Sequence, residues 1–468
     1  MIKEEKSEKL KQILSEVLTS GEILETVYNP ETGETNLVVL KNGSVEILKK
    51  YKDSKGQEWF PFPYDHDFLI KKFLRVASGV VPHGTLLELF NEIDAFINEY
   101  VQIPDEFRTV SVLYAMFTWV FDRFHTVPYL RVIGDLGTGK TRFEQVMSCL
   151  CYKTTFAGGS VSISAVFRSI DMVRGTFIFD EADFKNSEMW SEVAKVLNSG
   201  HTSNSPVIRM EVKKDGDMKI KTFNVFGPKI LASRERFGDL ALESRCLSEQ
   251  LLPMKKTDRV VHLGEDFEKK SEVLRNKLLS FRLEMYHKIK VEEETVKEIE
   301  LPRLKQSALA LTSIAVLISE EVSQKLINFL KRYEVELQNM QRHDVKADVL
   351  LCILSLLQKD PVNIPSKIHM KKIKEEFEQK FSDDYSERKE KGYSGISYPS
   401  TITISAKKIG IYVRDLGIKT GRDGHGFYIP CQQEGPHIEA LAERYGFDEA
   451  FLKKANEPEP DPLDQFSN

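Results

Sequence analysis

Hydrophobic and polar positions change their period several times along the chain, and each change marks a predicted element. Residues 1–20 carry apolar side chains at helical spacing on a charged background, which predicts an N-terminal helix. Over residues 25–60 the pattern becomes short β-branched runs separated by turn residues, which is typical of a small β-meander. Helical spacing then returns as far as Phe124, and Thr85 with Glu88 forms the signature of a capping box at a helix start.

The middle of the chain alternates short apolar strands with helices. Strands are predicted at 129–133, 176–179, 226–232 and 246–252, and a helix is predicted from Lys140. Apolar strands that alternate with helices imply a mostly parallel sheet covered on both faces. The expected fold class is therefore α/β.

These changes of pattern divide the chain into expected regions. They are an N-terminal helix with a small β-meander (1–65), a helical region (66–124), a strand-and-helix core (125–255), a second helical region that would form a lid (256–340), a basic segment of three helices and a hairpin (341–432), and a C-terminal helix with an acidic tail (433–468). With 468 residues, the chain exceeds what a single hydrophobic core usually serves, so several domains are expected.

Composition narrows the class of protein. Hydrophobic residues make up 41% and charged residues 29%, as in ordinary globular proteins, and no apolar run approaches the roughly 20 residues that span a bilayer. The five scattered cysteines fit neither a disulfide framework nor a zinc site, which favours a cytoplasmic protein without membrane contact. Because the net charge is −5, any contact with a polyanion has to come from local basic patches.

A glycine-rich loop follows the first predicted core strand. It reads Gly134, Asp135, Leu136, Gly137, Thr138, Gly139, Lys140 and Thr141, with the spacing G-x-x-x-x-G-K-T. Glycines at these positions let successive backbone N–H groups surround phosphates, and the helix that follows adds its dipole. We expect Lys140 to contact the β- and γ-phosphates and the Thr141 hydroxyl to bind Mg²⁺. The loop therefore predicts an ATP site.

An acidic pair follows the second buried core strand. In a chain with a phosphate loop, Asp180 is expected to hold Mg²⁺ and Glu181 to polarise the attacking water, although an acidic pair after a strand can also be a surface turn. Residues 180–183 also spell the Asp-Glu-Ala-Asp box of a large RNA-helicase family. The arginine-rich motif and Ser-Ala-Thr switch of those enzymes do not occur downstream, so we reject that assignment.

With both motifs in place, residues 105–255 resemble AAA+ ATPases of the helicase-type branch: minichromosome maintenance helicases, superfamily III viral helicases and primase-associated helicases of mobile elements. The resemblance implies that Ser233 is the polar tip of the sensor 1 strand, where asparagine is more common. It also implies that Arg245, in the segment 241–245, is an arginine finger for the neighbouring subunit's γ-phosphate; the alternative is a surface arginine before a strand. Sites shared between subunits imply a homo-oligomeric ring, with a hexamer expected.

The same resemblance suggests further arginines near the nucleotide. Arg303 is a candidate for sensor 2 in the lid, although arginines are also common at exposed helix starts. Arg168 and Arg234 are further candidates without an assigned role.

The resemblance also suggests nucleic-acid contacts in a hairpin. Residues 207–222 alternate on both sides of an Asp-Gly turn, which predicts a β-hairpin. Helicase-type members place a hairpin here that points into the channel of the ring, so Lys213, Lys214 and Lys219 would contact DNA phosphates. The alternative is a solvated hairpin with ordinary surface lysines.

A second basic surface is predicted near the C-terminus. Three helices followed by a hairpin resemble the winged helix found in several helicases of this branch. On that interpretation four basic side chains on the last helix and the wing contact DNA: Lys407, Lys408, Arg414 and Arg422. Lys419 and His425 would lie near phosphates as well. The alternative is a winged helix used for protein contacts or for ring stability.

Together these features predict a ring-forming DNA motor that depends on ATP and Mg²⁺, most simply a replicative-type helicase of a mobile element or virus. Two alternatives stay open. One is an ATP-switch protein that loads or remodels other proteins on DNA without unwinding it. The other is a DNA-binding regulator whose oligomeric state is set by ATP.

Overall fold

The computed structural model describes residues 11–71, 73–157, 162–180, 188–212, 218–237, 239–252, 260, 262–342, 345–358, 365–381 and 404–447. The chain divides into two compact units, Met1–Tyr333 and Glu334–Asn468. Of the predicted site residues, Glu181, Lys213 and Lys214 lie outside the described residues, as does the acidic tail from 448 onward.

Small sheets form the start of the first unit. Their strands are β1 (Lys11–Ile13), β2 (Ser15–Val17), β3 (Ile23–Asn29), β4 (Glu34–Lys41), β5 (Ser44–Leu48), β6 (Tyr51–Lys52) and β7 (Glu58–Pro61). The predicted meander over 25–60 is confirmed. Asn42 and Gly43 form its tightest turn, with positive φ angles of 49° and 78°, because β4 and β5 are joined by these two residues alone.

The helix predicted for residues 1–20 is wrong for residues 11–17. β1 pairs in parallel with β7, and β2 pairs antiparallel with β3, so neighbouring strands take up the backbone hydrogen bonds of this segment. Leu14 is buried in a cluster with Phe62 and Leu69. Long-range pairing and burial therefore override the local helical spacing.

Three helices precede the core: α1 (Asp67–Ile70), α2 (Leu86–Tyr100) and α3 (Asp105–Thr118). The capping box at the start of α2 is confirmed, since Thr85 accepts from the N–H of Glu88 and the Glu88 carboxylate accepts from the N–H of Thr85. α3 is buried along nearly its whole length, and its Tyr114 hydroxyl donates to the carbonyl oxygen of Lys229 at 2.8 Å.

The core contains β8 (Tyr129–Ile133), α4 (Lys140–Leu150), β9 (Thr155–Ala157), α5 (Ile163–Val173), β10 (Phe177–Phe179), α6 (Glu188–Ser199), β11 (Val207–Val212), β12 (Met218–Phe223), β13 (Lys229–Ser233), α7 (Leu240–Glu243) and β14 (Cys246–Gln250). Five of these strands form a parallel sheet in the order β14-β8-β13-β10-β9. The predicted α/β class is confirmed, and the sequence patterns missed the edge strand β9.

The rest of the first unit is helical and is tied to the core by buried charges. α8 (Glu265–Met285) and α9 (Pro302–Ile318) are followed by α10 (Glu320–Arg342), which begins in the first unit and ends in the second. Arg282 of α8 is 1% exposed; it donates to Glu25 of β3 at 2.6 Å and to both carboxylate oxygens of Asp122 at 2.9 Å. This network links the N-terminal sheet, the end of α3 and α8 through a single guanidinium.

The second unit has its own core. Its elements are α11 (Val345–Gln358), β15 (Lys367–His369), α12 (Met370–Phe381), α13 (Ala406–Asp415), β16 (Gly421–Asp423), β17 (Gly426–Pro430) and α14 (Cys431–Arg444). The three strands form an antiparallel sheet in the order β15-β17-β16. The predicted three helices and hairpin are confirmed, whereas β15 was missed. Among the described helices, none is long and apolar enough to cross a bilayer.

Candidate nucleotide site and nucleic-acid surfaces

The phosphate loop begins where β8, the second of the five parallel strands, leaves the sheet. All five side chains of β8 are buried, and the strand lies between β13 and β14. Directly after it, the N–H of Gly134 donates to the carbonyl oxygen of Ser233 at 3.1 Å. The start of the loop is therefore fixed to the strand beside it.

Glycine is required at several positions of this loop. Gly137 and Gly139 have φ angles of +81° and +93°, a backbone conformation that other residues rarely adopt. A Cβ atom on Gly134 would lie 2.6 Å from the Thr138 hydroxyl and 2.9 Å from the carbonyl oxygen of Leu251. The loop can close in this form because these positions carry no side chain.

Lys140 brings a positive charge to the loop. Its ammonium group donates to the carbonyl oxygens of Gly134 at 2.6 Å and Asp135 at 2.9 Å. α4 starts at Lys140, and its N-cap, Gly139, supplies no side-chain hydrogen bond to the first turn. The first N–H groups of α4 and the ammonium therefore belong to the same junction of loop and helix, which suits the phosphates of a nucleotide.

The Thr141 hydroxyl and the Asp180 carboxylate belong to residues that line one cavity beside the loop. The cavity has a volume of about 390 Å³, and both Thr141 and Asp180 line it. Its wall includes Arg75, which forms an ion pair with Glu268 at 2.9 Å. Oxygen donors of this kind are those that Mg²⁺ prefers, so the residues present fit the metal of a bound nucleotide.

Ser233 lies between the loop and the acidic strand. β13 separates β8 from β10, and Ser233 pairs with Ile133, the residue before the loop. The side chain is 1% exposed and donates to the carbonyl oxygen of Glu235 at 2.8 Å. The carboxyl ends of three adjacent parallel strands thus bring the loop, Ser233 and Asp180 to one edge of the sheet.

Arg245 lies at the other end of the same sheet. Its carbonyl oxygen accepts from the N–H of Tyr129 at 2.9 Å, and the next residue, Cys246, pairs with Tyr129 in the sheet. β8 therefore separates Arg245 from the loop by about 13 Å of strand. The Arg245 side chain is half-buried, and burial lowers its pKa.

Arg303, the candidate for sensor 2 in the lid, lies beside the segment that carries Arg245, and its role stays a prediction. Its guanidinium donates to the carbonyl oxygen of Ala241 at 3.3 Å and approaches the Ser244 hydroxyl at 3.5 Å. These contacts place Arg303 beside Arg245, because α9 begins next to the segment 241–245. Of the two unassigned arginines, Arg234 is exposed next to Ser233, and Arg168 lies over the Phe223 ring at 6.0 Å.

Sequence reasoning missed a buried ion pair within this core. Arg131 of β8 and Glu243 of α7 are 0% and 1% exposed and form a short ion pair. Glu243 also accepts from Arg236 at 3.0 Å and from the N–H of Phe237 at 3.0 Å. The available signal was an arginine in the middle of an otherwise apolar strand, and the pair fixes the segment that carries Arg245.

The predicted hairpin is confirmed as β11 paired antiparallel with β12. Its inner face is held by Val207 and Phe223, which are buried, and by the ion pair of Arg209 with Glu192 of α6. Four apolar residues are exposed on the outer face, and their alternation in the sequence was the signal: Ile208, Met210, Met218 and Ile220. Lys219 pairs with Glu211 in the ladder, and its phosphate contact stays a prediction.

The predicted basic residues of the second unit are all exposed. Lys407, Lys408 and Arg414 lie on α13, and Arg422 lies on β16. The Arg422 guanidinium lies 5.4 Å from the centre of the Phe427 ring on the neighbouring strand. The helix and the hairpin of this unit therefore both present cations to solvent.

The turn between β16 and β17 is held by Asp423. Its carboxylate accepts from the N–H of His425 at 3.0 Å, from His369 at 3.1 Å and from Lys367 at 3.2 Å. The backbone bond from His425 is the main cause that lowers the pKa of Asp423 to about 2. These bonds join the hairpin to β15.

No protein-family model matches this chain, and no curated protein matches it at a significant level. Among solved structures, the apo C-terminal region of NrS-1 is similar over 87% of this chain and 95% of its own length, with 11% identity and a TM-score of 0.36. The JCV helicase is similar over 54% of this chain and 62% of its own, with 11% identity and a TM-score of 0.25.

Cdc6p from Pyrobaculum aerophilum is similar over 74% of this chain and 98% of its own length, with 11% identity and a TM-score of 0.20. At such low identities and TM-scores, none of these likenesses carries an argument about function.

Proposed function

We propose that this chain is an AAA+ ATPase of the helicase-type branch that assembles into a ring and moves on DNA with ATP and Mg²⁺. The observation that carries the proposal is the position of two groups at opposite ends of one sheet. Gly134 begins the phosphate loop at the carboxyl end of β8, and Arg245 lies at its amino end. Because the length of β8 separates that guanidinium from the loop of its own chain, its partner under this proposal is a nucleotide held by another copy.

Within one site, the roles follow the chemistry of the side chains. Lys140 and the loop N–H groups hold the phosphates, while Thr141 and Asp180 hold Mg²⁺. When bound, Mg²⁺ neutralises phosphate charge and orients the phosphoryl group that is transferred. Ser233 positions the lytic water, Glu181 polarises it, and Arg245 of the neighbouring copy stabilises the charge that develops.

Two surfaces support DNA as the partner. In the second unit, the order of three helices and a three-stranded antiparallel sheet supports a winged helix, and its exposed α13 carries Lys407, Lys408 and Arg414. Such a helix fits the major groove while the hairpin contacts the backbone. In the first unit, the β11–β12 hairpin supports a second contact, with a strand inside the ring.

The test is the ATPase rate with and without single-stranded DNA, measured on wild type and on Lys140→Ala. We expect hydrolysis by wild type that DNA stimulates, and a loss of at least about a hundredfold in Lys140→Ala, because the ammonium stabilises the charge that develops on the phosphates. Wild-type protein that hydrolyses no ATP would overturn the proposal. Sedimentation with ATP present should give a closed ring, for which we expect six copies.

Among ring-forming DNA motors, the specific role that we propose is a replicative-type helicase of a mobile element or virus. Unwinding can be measured on a forked DNA duplex that carries one labelled strand. We expect the labelled strand to be released only when ATP is present. Hydrolysis without DNA stimulation or unwinding would favour a protein that loads or remodels others on DNA. Function that survives Glu181→Gln would favour a DNA-binding regulator whose oligomeric state is set by ATP, because binding rather than hydrolysis would then matter.

A further inference from the structure

Lys229 is a completely buried lysine at the first position of β13. Its ammonium group donates to the carbonyl oxygens of Val225 and Gly227 at 2.9 Å each and to that of Gly200 at 3.5 Å. The ring of Tyr129 lies 5.0 Å from the same nitrogen. Backbone oxygens and an aromatic face therefore surround a single cation.

These carbonyl oxygens belong to the two legs of the β11–β12 hairpin. Gly200 follows α6 on the way into the hairpin, whereas Val225 and Gly227 lie on the way back from it to β13. The N–H of Gly227 also donates to the carbonyl oxygen of Gly200 at 3.2 Å, so the two legs touch. A Cβ atom on Gly200 would lie 2.5 Å from the Lys229 nitrogen, which explains why a glycine stands there.

The opposite end of β13 contacts the phosphate loop. Ser233, the last residue of the strand, accepts from the N–H of Gly134 and pairs with Ile133. A five-residue strand spans about 13 Å and is stiff, because both of its edges are paired inside the sheet. One rigid element thus ends on the nucleotide loop and begins on the hairpin legs.

We propose that Lys229 is a positioning residue that couples the nucleotide site to the β11–β12 hairpin through β13. This coupling role rests on the proposed function. A shift of the loop against Ser233 moves the strand, and the ammonium carries both hairpin legs with it. An apolar side chain would fill the same space without holding the legs. Burial lowers the pKa of Lys229 to about 7, which means that a charged ammonium at this position costs free energy. A side chain that only fills the core would not carry this cost.

The test compares Lys229→Met with the matched control Lys153→Met. Lys153 is also a buried lysine, 3% exposed, but its ammonium donates to the Ser15 hydroxyl of β2 at 2.6 Å and not to the hairpin legs. Both variants lose one buried ammonium and gain the same apolar side chain. Loss of stability alone should therefore affect both, and melting temperatures report how far it does.

We expect Lys229→Met to keep basal ATP hydrolysis close to that of the control while stimulation by single-stranded DNA falls at least about fivefold. Lys153→Met should keep the stimulation of wild type. Equal stimulation in the two variants would overturn the coupling role and leave the proposed function intact. Wild type without ATP hydrolysis would instead remove the proposed function, and with it this inference.

Hydrogen exchange on wild type keeps the inference testable if Lys229→Met does not fold. Binding of a non-hydrolysable ATP analogue should change the exchange of the amides in β11 and β12, because the loop and the hairpin legs are joined by β13. The amides of β3 and β4, which β13 does not contact through its ends, serve as the internal control. Unchanged exchange in the hairpin on saturation with the analogue would overturn the coupling role.

Discussion

Arg131 and Glu243 form an ion pair in which neither side chain reaches solvent. Arg131 lies on the strand that leads into the phosphate loop, and Glu243 ends the short helix before Arg245. The carboxylate is shared with Arg236 and the N–H of Phe237, whereas the described ion pair of the Arg131 guanidinium is with Glu243. Replacing the two partners should therefore destabilise the fold to different extents.

We therefore expect Glu243→Met to cost about 3–5 kcal/mol of the free energy of unfolding, because it removes the carboxylate from a buried guanidinium that keeps a neutral hydrogen bond to Ser248. Arg131→Met should cost less, about 1–3 kcal/mol, because Arg236 still pairs with the carboxylate. Urea unfolding of both variants measures the difference. A larger loss for Arg131→Met would contradict this account of the cluster.

The position of Arg245 predicts complementation between defective copies. Lys140→Ala and Arg245→Ala should each be inactive alone, since one loses the loop ammonium and the other the guanidinium supplied to a neighbour. Mixed in equal amounts, random rings contain intact sites at about a quarter of their interfaces, so ATP hydrolysis should return to about that fraction.

The control for that experiment is the double variant carrying both substitutions in one chain, mixed with Lys140→Ala. None of its interfaces regains both groups, so its activity should stay at background. Absence of recovery in the first mixture would show that Arg245 does not act between copies.

The basic face of α13 predicts salt-dependent DNA binding. Replacement of Lys407 and Lys408 by alanine should weaken binding to duplex DNA and reduce the slope of log affinity against log salt by about 0.9 for each phosphate that is no longer neutralised. Lys371 and Lys372 on α12 are also exposed, and their double replacement is the matched change of charge. A salt slope that is the same in both double variants would count against α13 as the DNA-binding helix.

His201 predicts a loss of stability in mild acid. Burial lowers the pKa of its ring to about 4, and the ring nitrogen Nδ1 lies 2.6 Å from the carbonyl oxygen of Val127. The unfolded chain binds this proton below its ordinary pKa of about 6.5, so the unfolded state is favoured as pH falls from about 6.5 to 4. The full effect corresponds to about 3 kcal/mol.

Urea unfolding at pH 7 and pH 5, on wild type and His201→Gln, isolates this contribution. The wild type should lose more stability between the two pH values than the variant, which has no proton to bind at that position. Equal losses would mean that the acid sensitivity of the fold comes from other groups.

The sequence by itself determined the features that depend on neighbouring residues. The strand, glycine loop and helix around Lys140 and the capping box of Thr85 are set by backbone geometry within a few positions, so local patterns predicted these structures, while phosphate binding by the loop stays a prediction. The hairpin of β11 and β12 belongs with them, because alternation around a turn is also local.

Tertiary structure alone decided what depends on distant parts of the chain. Pairing with β7 and β3 turned a segment with helical spacing into strands. The sheet order brought Ser233 beside the loop and carried Arg245 to the far end. The buried partners of Arg131 and Lys229 have the same origin, because a charge in an apolar strand signals that it needs a partner without showing which distant element supplies it.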